Sequence, residues 1–201
     1  MKYIPALVLL VLALLACNLT GSRTGNNSAS TGTGGEPVEH ATMTAAQQQA
    51  LAGGQTVTWE QQGISWTLPK GWNKMDVDSK QFNYGAPGNK AFIIASISLM
   101  DASFPTDISL KAFYDGAETR RKNGEVDELR WLELDGLKGV EFREANDPEH
   151  PDGIRRLQWM TYRKYSGQTQ MLNFILSSNG KQFPAHQDEL YAILYSTKLA
   201  H

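Results

Sequence analysis

Between Thr56 and His201, apolar residues recur at two different spacings, and the switches between them lay out one folded unit. Val57 and Trp59, then Ile64, Trp66 and Leu68, alternate with polar neighbours, which predicts two short strands flanking Gln61-Gln62-Gly63 as a hairpin. Pro69-Lys70-Gly71 stops the second strand, and Trp72 follows the turn. Gln81–Tyr84 reads as a third strand, closed by Gly85-Ala86-Pro87-Gly88. Phe92–Leu99 is the strongest strand. Ile93, Ala95, Ile97 and Leu99 point one way while Phe92 and Ile94 share the other face, so it is expected to be central and covered on both sides.

Ile108–Lys122 changes period. Leu110, Phe113, Tyr114 and Ala117 fall at i, i+3, i+4 and i+7, one face of a helix. Thr106 or Ser109 is positioned to cap its start, and Asn123-Gly124 supplies its stop. Four strand-like runs follow, Glu128–Leu134, Leu137–Glu144, Ile154–Tyr165 and Gln168–Ser177. Asp135-Gly136, the polar loop 147–153 and Ser166-Gly167 separate them, joints that suit adjacent antiparallel strands. Pro184 opens a last helix whose buried stripe is Leu190, Ile193, Leu194 and Thr197, with Asp188 and Glu189 near its positive end. Strands, helix, four-strand meander and helix make an α+β fold, an antiparallel sheet flanked by helices.

Upstream the pattern is different. Lys2 precedes an apolar run from Ile4 to Ala16, and the only cysteine follows as Leu14-Leu15-Ala16-Cys17. A charged start, a short apolar centre and a small residue at the cut are the marks of an export signal, too short to span a bilayer. The tetrapeptide resembles the bacterial lipobox, which implies cleavage before Cys17 and a diacylglyceryl group on its sulfur. Two acyl chains are what stable anchoring takes. From Asn18 to about Gly54 the chain is rich in Gly, Ser, Thr and Asn, and 17–55 is expected to be a lipidated cysteine followed by a flexible tether. Within it, Thr42–Leu51 has the alanines and glutamines of a short helix ended by Gly53-Gly54. The expected division is therefore signal 1–16, tether 17–55 and domain 56–201, held at the cell envelope by lipid on Cys17.

Composition narrows the partners. Nineteen basic residues against 21 acidic give a net charge of −2, and Arg120-Arg121-Lys122 and Arg155-Arg156 are small and flanked by acids. No basic patch of the kind nucleic acid requires stands out. With one cysteine, no disulfide forms within the chain.

Ile64-Ser65-Trp66-Thr67-Leu68-Pro69-Lys70-Gly71-Trp72, the mid-chain helix, the strand pair around Leu134-Asp135-Gly136-Leu137-Lys138-Gly139-Val140-Glu141-Phe142 and the closing helix together resemble the PsbP-like superfamily, which includes DcrB-like envelope lipoproteins. The resemblance covers roughly Val57–Leu199. It implies a PsbP-like α/β/α sandwich and a non-enzymatic role as an adaptor or assembly module working on an envelope protein partner, without a cofactor.

The residues themselves offer little catalytic chemistry. No Gly-x-Ser-x-Gly elbow, His-Glu-x-x-His or phosphate-binding glycine loop occurs. Asp147, Glu149, His150 and Asp152 bring three carboxylates and an imidazole into one loop, a candidate metal site that ordinary solvation of a Pro-rich joint explains as well. His186 lies beside Asp188 and Glu189, where it caps or pairs locally. Glu141, Arg143 and Glu144 with Arg155, Arg156 and Arg163 are expected to form cross-strand ion pairs on an exposed face. Among the aromatics, Trp72 is least committed to a core and is the candidate wall of a groove for a small apolar or glycan ligand. Two readings stay open: an interaction module, or a binder of such a ligand.

Overall fold

Val126–Leu134 (β7), Leu137–Glu144 (β8), Ile154–Tyr165 (β9) and Gln168–Asn179 (β10) form the antiparallel meander expected from their alternation. The computed structural model describes residues 37–200. The earlier elements are Val38–His40 (β1), Ala45–Ala50 (α1), Gln55–Trp59 (β2), Ile64–Leu68 (β3), Asn73–Val77 (β4), Gln81–Gly85 (β5), Ala91–Met100 (β6) and Thr106–Lys122 (α2). Phe183–Tyr195 (α3) and Lys198–Leu199 (β11) close the chain. The main sheet has eight strands in the order β1-β7-β8-β9-β10-β6-β5-β4, and β11-β3-β2 make a smaller one.

The tight joints explain the register. Asp135 and Gly136 (φ 48° and 86°) and Ser166 and Gly167 (φ 49° and 76°) both sit in the left-handed region. Two such residues make the turn whose twist matches paired strands, so β7–β8 and β9–β10 follow from short sequence signals.

Two apolar cores lie on opposite faces of the sheet. On one face α3 and the small sheet cover a core with Trp66, Leu68, Ile93, Trp159, Phe174, Ile193 and Leu194. Trp66 packs on Phe82 at 4.6 Å and meets Phe174 edge-on at 5.2 Å. On the other face α2 lies across β7, β8 and β9 and seals a smaller core of Leu110, Ala117, Leu129, Trp131, Val140, Phe142 and Met160.

Several expectations are corrected. The folded body begins before residue 56. Val38–His40 pairs in parallel with Trp131–Glu133 on β7, the one parallel pair among the described strands of an otherwise antiparallel sheet. Helix α1 packs against α3 and starts with a reciprocal capping box between Thr44 and Gln47. The tether expectation thus fails for residues 38–54, because a three-residue strand and a one-and-a-half-turn helix find partners far along the chain. Signal, Cys17 and the rest of the expected tether lie outside the described residues. Helix α2 is preceded by Pro105 and has no side-chain cap from Thr106 or Ser109. Strand β6 is covered on one face only. Ile93, Ala95 and Ile97 are buried, but Ile94 is 38% exposed, because α2 stops short of β10 and β6.

Candidate functional site

That uncovered half-face is the main surface feature. The register aligns Gln158 on β9, Ile175 on β10, Ile94 on β6 and Asn83 on β5 in one row across four strands. Around this row, Met75, Phe92, Ile94, Ile154 and Ile175 line a shallow hollow of about 560 Å³. Met75 and Ile154 are about half exposed, at 55% and 50%. Asn83 Oδ1 is buried here with no hydrogen-bond partner. Gln158 donates to Asn173 Oδ1 at 2.7 Å.

A second hollow adjoins it under the edge of α2. Phe104, Phe113, Phe142, Tyr162 and Gln158 line about 630 Å³. The helical stripe places Phe113 on the packed face, yet it is 43% exposed at the rim. Its neighbours Leu110 and Ala117 reach the core, whereas Phe113 sits where the sheet runs out from under the helix. Phe104 packs on Tyr162 at 5.5 Å, and burial raises the Tyr162 hydroxyl above the ordinary phenol range. Gln158 lines this hollow and pairs in register with Ile175, which lines the first, so the two hollows are neighbours along one open strip of the sheet. Arg156 and Arg120 flank it, both held by Glu144 (3.2 and 3.3 Å).

The reverse face of β7–β8 carries charge instead. Glu141 is fully buried and receives Arg130 Nε on Oε1 at 3.1 Å and Nη2 on Oε2 at 3.2 Å. Arg130 also reaches Glu39 at 3.0 Å, Glu128 at 3.3 Å and the Tyr195 hydroxyl. Burial pushes Glu141 up to about 7, with Arg130 opposing it. Tyr191 donates to Glu128 Oε2 at 2.9 Å, and burial holds both tyrosine hydroxyls above their usual range. Of the expected ion pairs only Glu144 with Arg156 forms, at 3.2 Å. Glu141 is buried and pairs with Arg130, Arg143 turns to Asp127 and Glu128, and the buried Arg155 meets Asp127 at 2.6 Å. Arg163 makes no ion pair among the described residues. This cluster has each carboxylate engaged and serves as a polar seam joining β1, β7, β8 and α3.

The individual candidates resolve as follows. Trp72 is 2% exposed and its indole donates to Glu189 Oε1 at 2.7 Å, so it is core and not the wall of an open groove. His186 Nδ1 lies 2.7 Å from the other oxygen of Glu189. Asp147 takes the backbone N–H groups of Glu149 (2.9 Å) and His150 (3.2 Å) and sits 2.9 Å from His150 Nδ1. Asp152 instead turns to Lys181, at 3.1 Å. The four loop residues are thus not gathered: among the described residues, no group of three or more His, Cys, Asp or Glu is placed to hold a metal ion. No helix among them is long and apolar enough to cross a membrane.

No family model and no curated protein matches the chain. Solved structures do. The solution structure of cyanobacterial PsbP (CyanoP) from Synechocystis sp. PCC 6803 is 13% identical, with 73% of this chain and 92% of that chain covered and a TM-score of 0.49. LpqN, involved in cell envelope biogenesis of Mycobacterium tuberculosis, is 14% identical over 74% of this chain and 86% of its own, with a TM-score of 0.47. The Ran-binding protein Mog1p of Saccharomyces cerevisiae is 13% identical over 73% and 95%, with a TM-score of 0.40. Likeness at this distance is one of architecture; what the chain does is argued from its own residues.

Proposed function

We propose that the chain is a lipid-anchored protein of the cell envelope whose α+β domain is a non-catalytic docking module for another envelope protein. The observation that carries this reading is the open strip with exposed apolar side chains at Phe113, Ile94, Ile154 and Met75, left uncovered because α2 lies on β7–β9. Exposed apolar side chains gathered on one sheet face mark an interaction surface, unlike the same residues scattered singly. The occupant we assign is an apolar segment of a partner protein, lying along β10 and β6 and meeting Arg156 and Arg120 at its margin. The lipobox-like Leu14-Leu15-Ala16-Cys17 supports the anchor.

The test is site-specific photo-crosslinking in intact cells from position 94 or 154. A discrete adduct with one envelope protein, lost when Phe113 is changed to Asp, is the expected result. Recovery of the uncrosslinked monomer from both positions under several growth conditions would reject it.

A second reading has its own observation, the hollow of about 630 Å³ walled by Phe104, Phe113, Phe142 and Tyr162, which is within the size range of small-ligand pockets. Here the domain holds a small apolar ligand. Native mass spectrometry of protein purified from its own host separates the two, because a co-purifying small mass belongs only to this reading.

A further inference from the structure

At the opposite end of the sheet, Arg163 on β9 is 6% exposed and has no carboxylate within ion-pair distance among the described residues. Its Nε donates to Gln170 Oε1 at 2.9 Å and its Nη2 to the Gln62 carbonyl at 2.7 Å. Its Nη1 is buried with no partner among the described residues. The Tyr165 ring lies against the guanidinium at 4.2 Å. Burial draws its pKa down, and only the Tyr165 hydroxyl counters that pull. A buried cation without a counter-charge is the costliest arrangement a core can hold.

The two glutamines that grip Arg163 are bonded to each other, Gln170 Nε2 to Gln62 Oε1 at 3.1 Å, and both line a cavity of about 540 Å³. Lys80, Ser79 and Ser98 line it as well. Among the described residues, no acid does. The nearest acid in sequence, Asp78, is committed to its own turn, accepting the N–H groups of Lys80 at 2.6 Å and Gln81 at 2.8 Å. The turn is fixed to the sheet by the Ile97 N–H on the Lys80 carbonyl at 3.0 Å and by Gln62 Nε2 on the Ser79 carbonyl at 2.7 Å. The cavity therefore combines a fixed positive charge directly behind its wall, a second cation on its rim, and amides and hydroxyls between them.

We propose that this cavity binds an oxyanion, the carboxylate or phosphate group of a small ligand. Arg163 supplies the charge that binding neutralises, Gln62 and Gln170 orient the group, and Lys80 closes on it from the rim. A guanidinium held by neutral side chains is preorganised for an oxyanion in a way that an ion-paired one is not. The site lies on the Ile97 side of β6 and is independent of the docking strip on the Ile94 side.

The experiment is thermal unfolding of the purified full chain titrated with sodium phosphate or sodium succinate, against sodium chloride of equal ionic strength. A ligand that binds only the native state raises the melting temperature with concentration. The expected result is a rise beyond chloride with one of the two, and which one responds assigns the phosphate or the carboxylate. Arg163→Met should lose that response and melt higher than the parent without added anion, since it removes an uncompensated charge. Lys80→Gln should keep the fold and weaken the apparent affinity about 2- to 5-fold. Equal melting in all three salts would overturn the proposal, as would a response unchanged in both variants. If Arg163→Met does not fold, Lys80→Gln alone decides.

Discussion

Arg130 on β7 closes over the fully buried carboxylate of Glu141 directly across on β8, with Nη2 2.9 Å from Oε1. Burial outweighs that attraction and leaves Glu141 titrating at about 7. The folded state thus holds a proton that the unfolded chain releases near the ordinary carboxylate value. The stabilisation from this group is complete below about pH 4.5 and is lost as pH rises through about 7. Urea unfolding at pH 5.5 and 8.0 should show the parent losing more stability over that interval than Glu141→Gln. Parallel behaviour of the two would show that Glu141 is ionised throughout.

Ile94 and Ile97 stand on opposite faces of β6, and their substitution by Asp should separate docking from folding. Ile97 is 7% exposed, and Ile97→Asp buries an unpaired charge, costing several kcal/mol of a stability that is about 5–15 in all. Ile94→Asp stays in contact with water and should change stability by about 1 kcal/mol or less while abolishing the crosslink to the partner. Melting curves and the crosslink read the two effects separately. Equal destabilisation by both would mean that the Ile94 face is covered.

Gly139 on β8 lies under the Trp159 indole. A Cβ built there comes within 2.5 Å of the ring and 2.7 Å of the Met160 carbonyl. Trp159 is fully buried and its N–H is tied to the Leu132 carbonyl at 3.1 Å, so the ring cannot step aside cheaply. Gly139→Ala should cost about 1–3 kcal/mol by overpacking. Denaturant unfolding with an unchanged slope is the check.

Cys17→Ala tests the anchor. The variant should incorporate no labelled palmitate and should leave the membrane fraction in its mature form or persist as uncleaved precursor. Label still present on the Cys17→Ala chain would remove Cys17 as the acylation site.

The candidate site is only partly legible in the sequence. Phe113 appears in the helical stripe and Ile94 in the strand pattern, but both patterns say which residues share a face, not whether the face is covered. Where α2 lies on the sheet decides that. Trp72 shows the converse: a tryptophan just past a turn looks available, until Glu189, 117 residues on, takes its N–H. The metal candidates Asp147, Glu149, His150 and Asp152 are adjacent in sequence, yet a loop can turn neighbouring side chains outward in different directions. Arg163 gives no signal beyond a charge in a strand.

Local chemistry suffices wherever an interaction spans a few residues. The meander, its Asp135-Gly136 and Ser166-Gly167 turns, the short helix within Thr42–Leu51 and the presence of α2 and α3 follow from spacing and turn residues, because period and φ are short-range properties. Helix α3 nonetheless ends at Tyr195, short of the Thr197 that the stripe included. Long-range pairing settles the rest. β1 joins β7 from far upstream, Glu141 is buried by what packs above it, and the open strip exists because one helix is narrower than the sheet beneath it. Burial depends on the partner as much as on the residue, and the partner is chosen only when the whole chain packs.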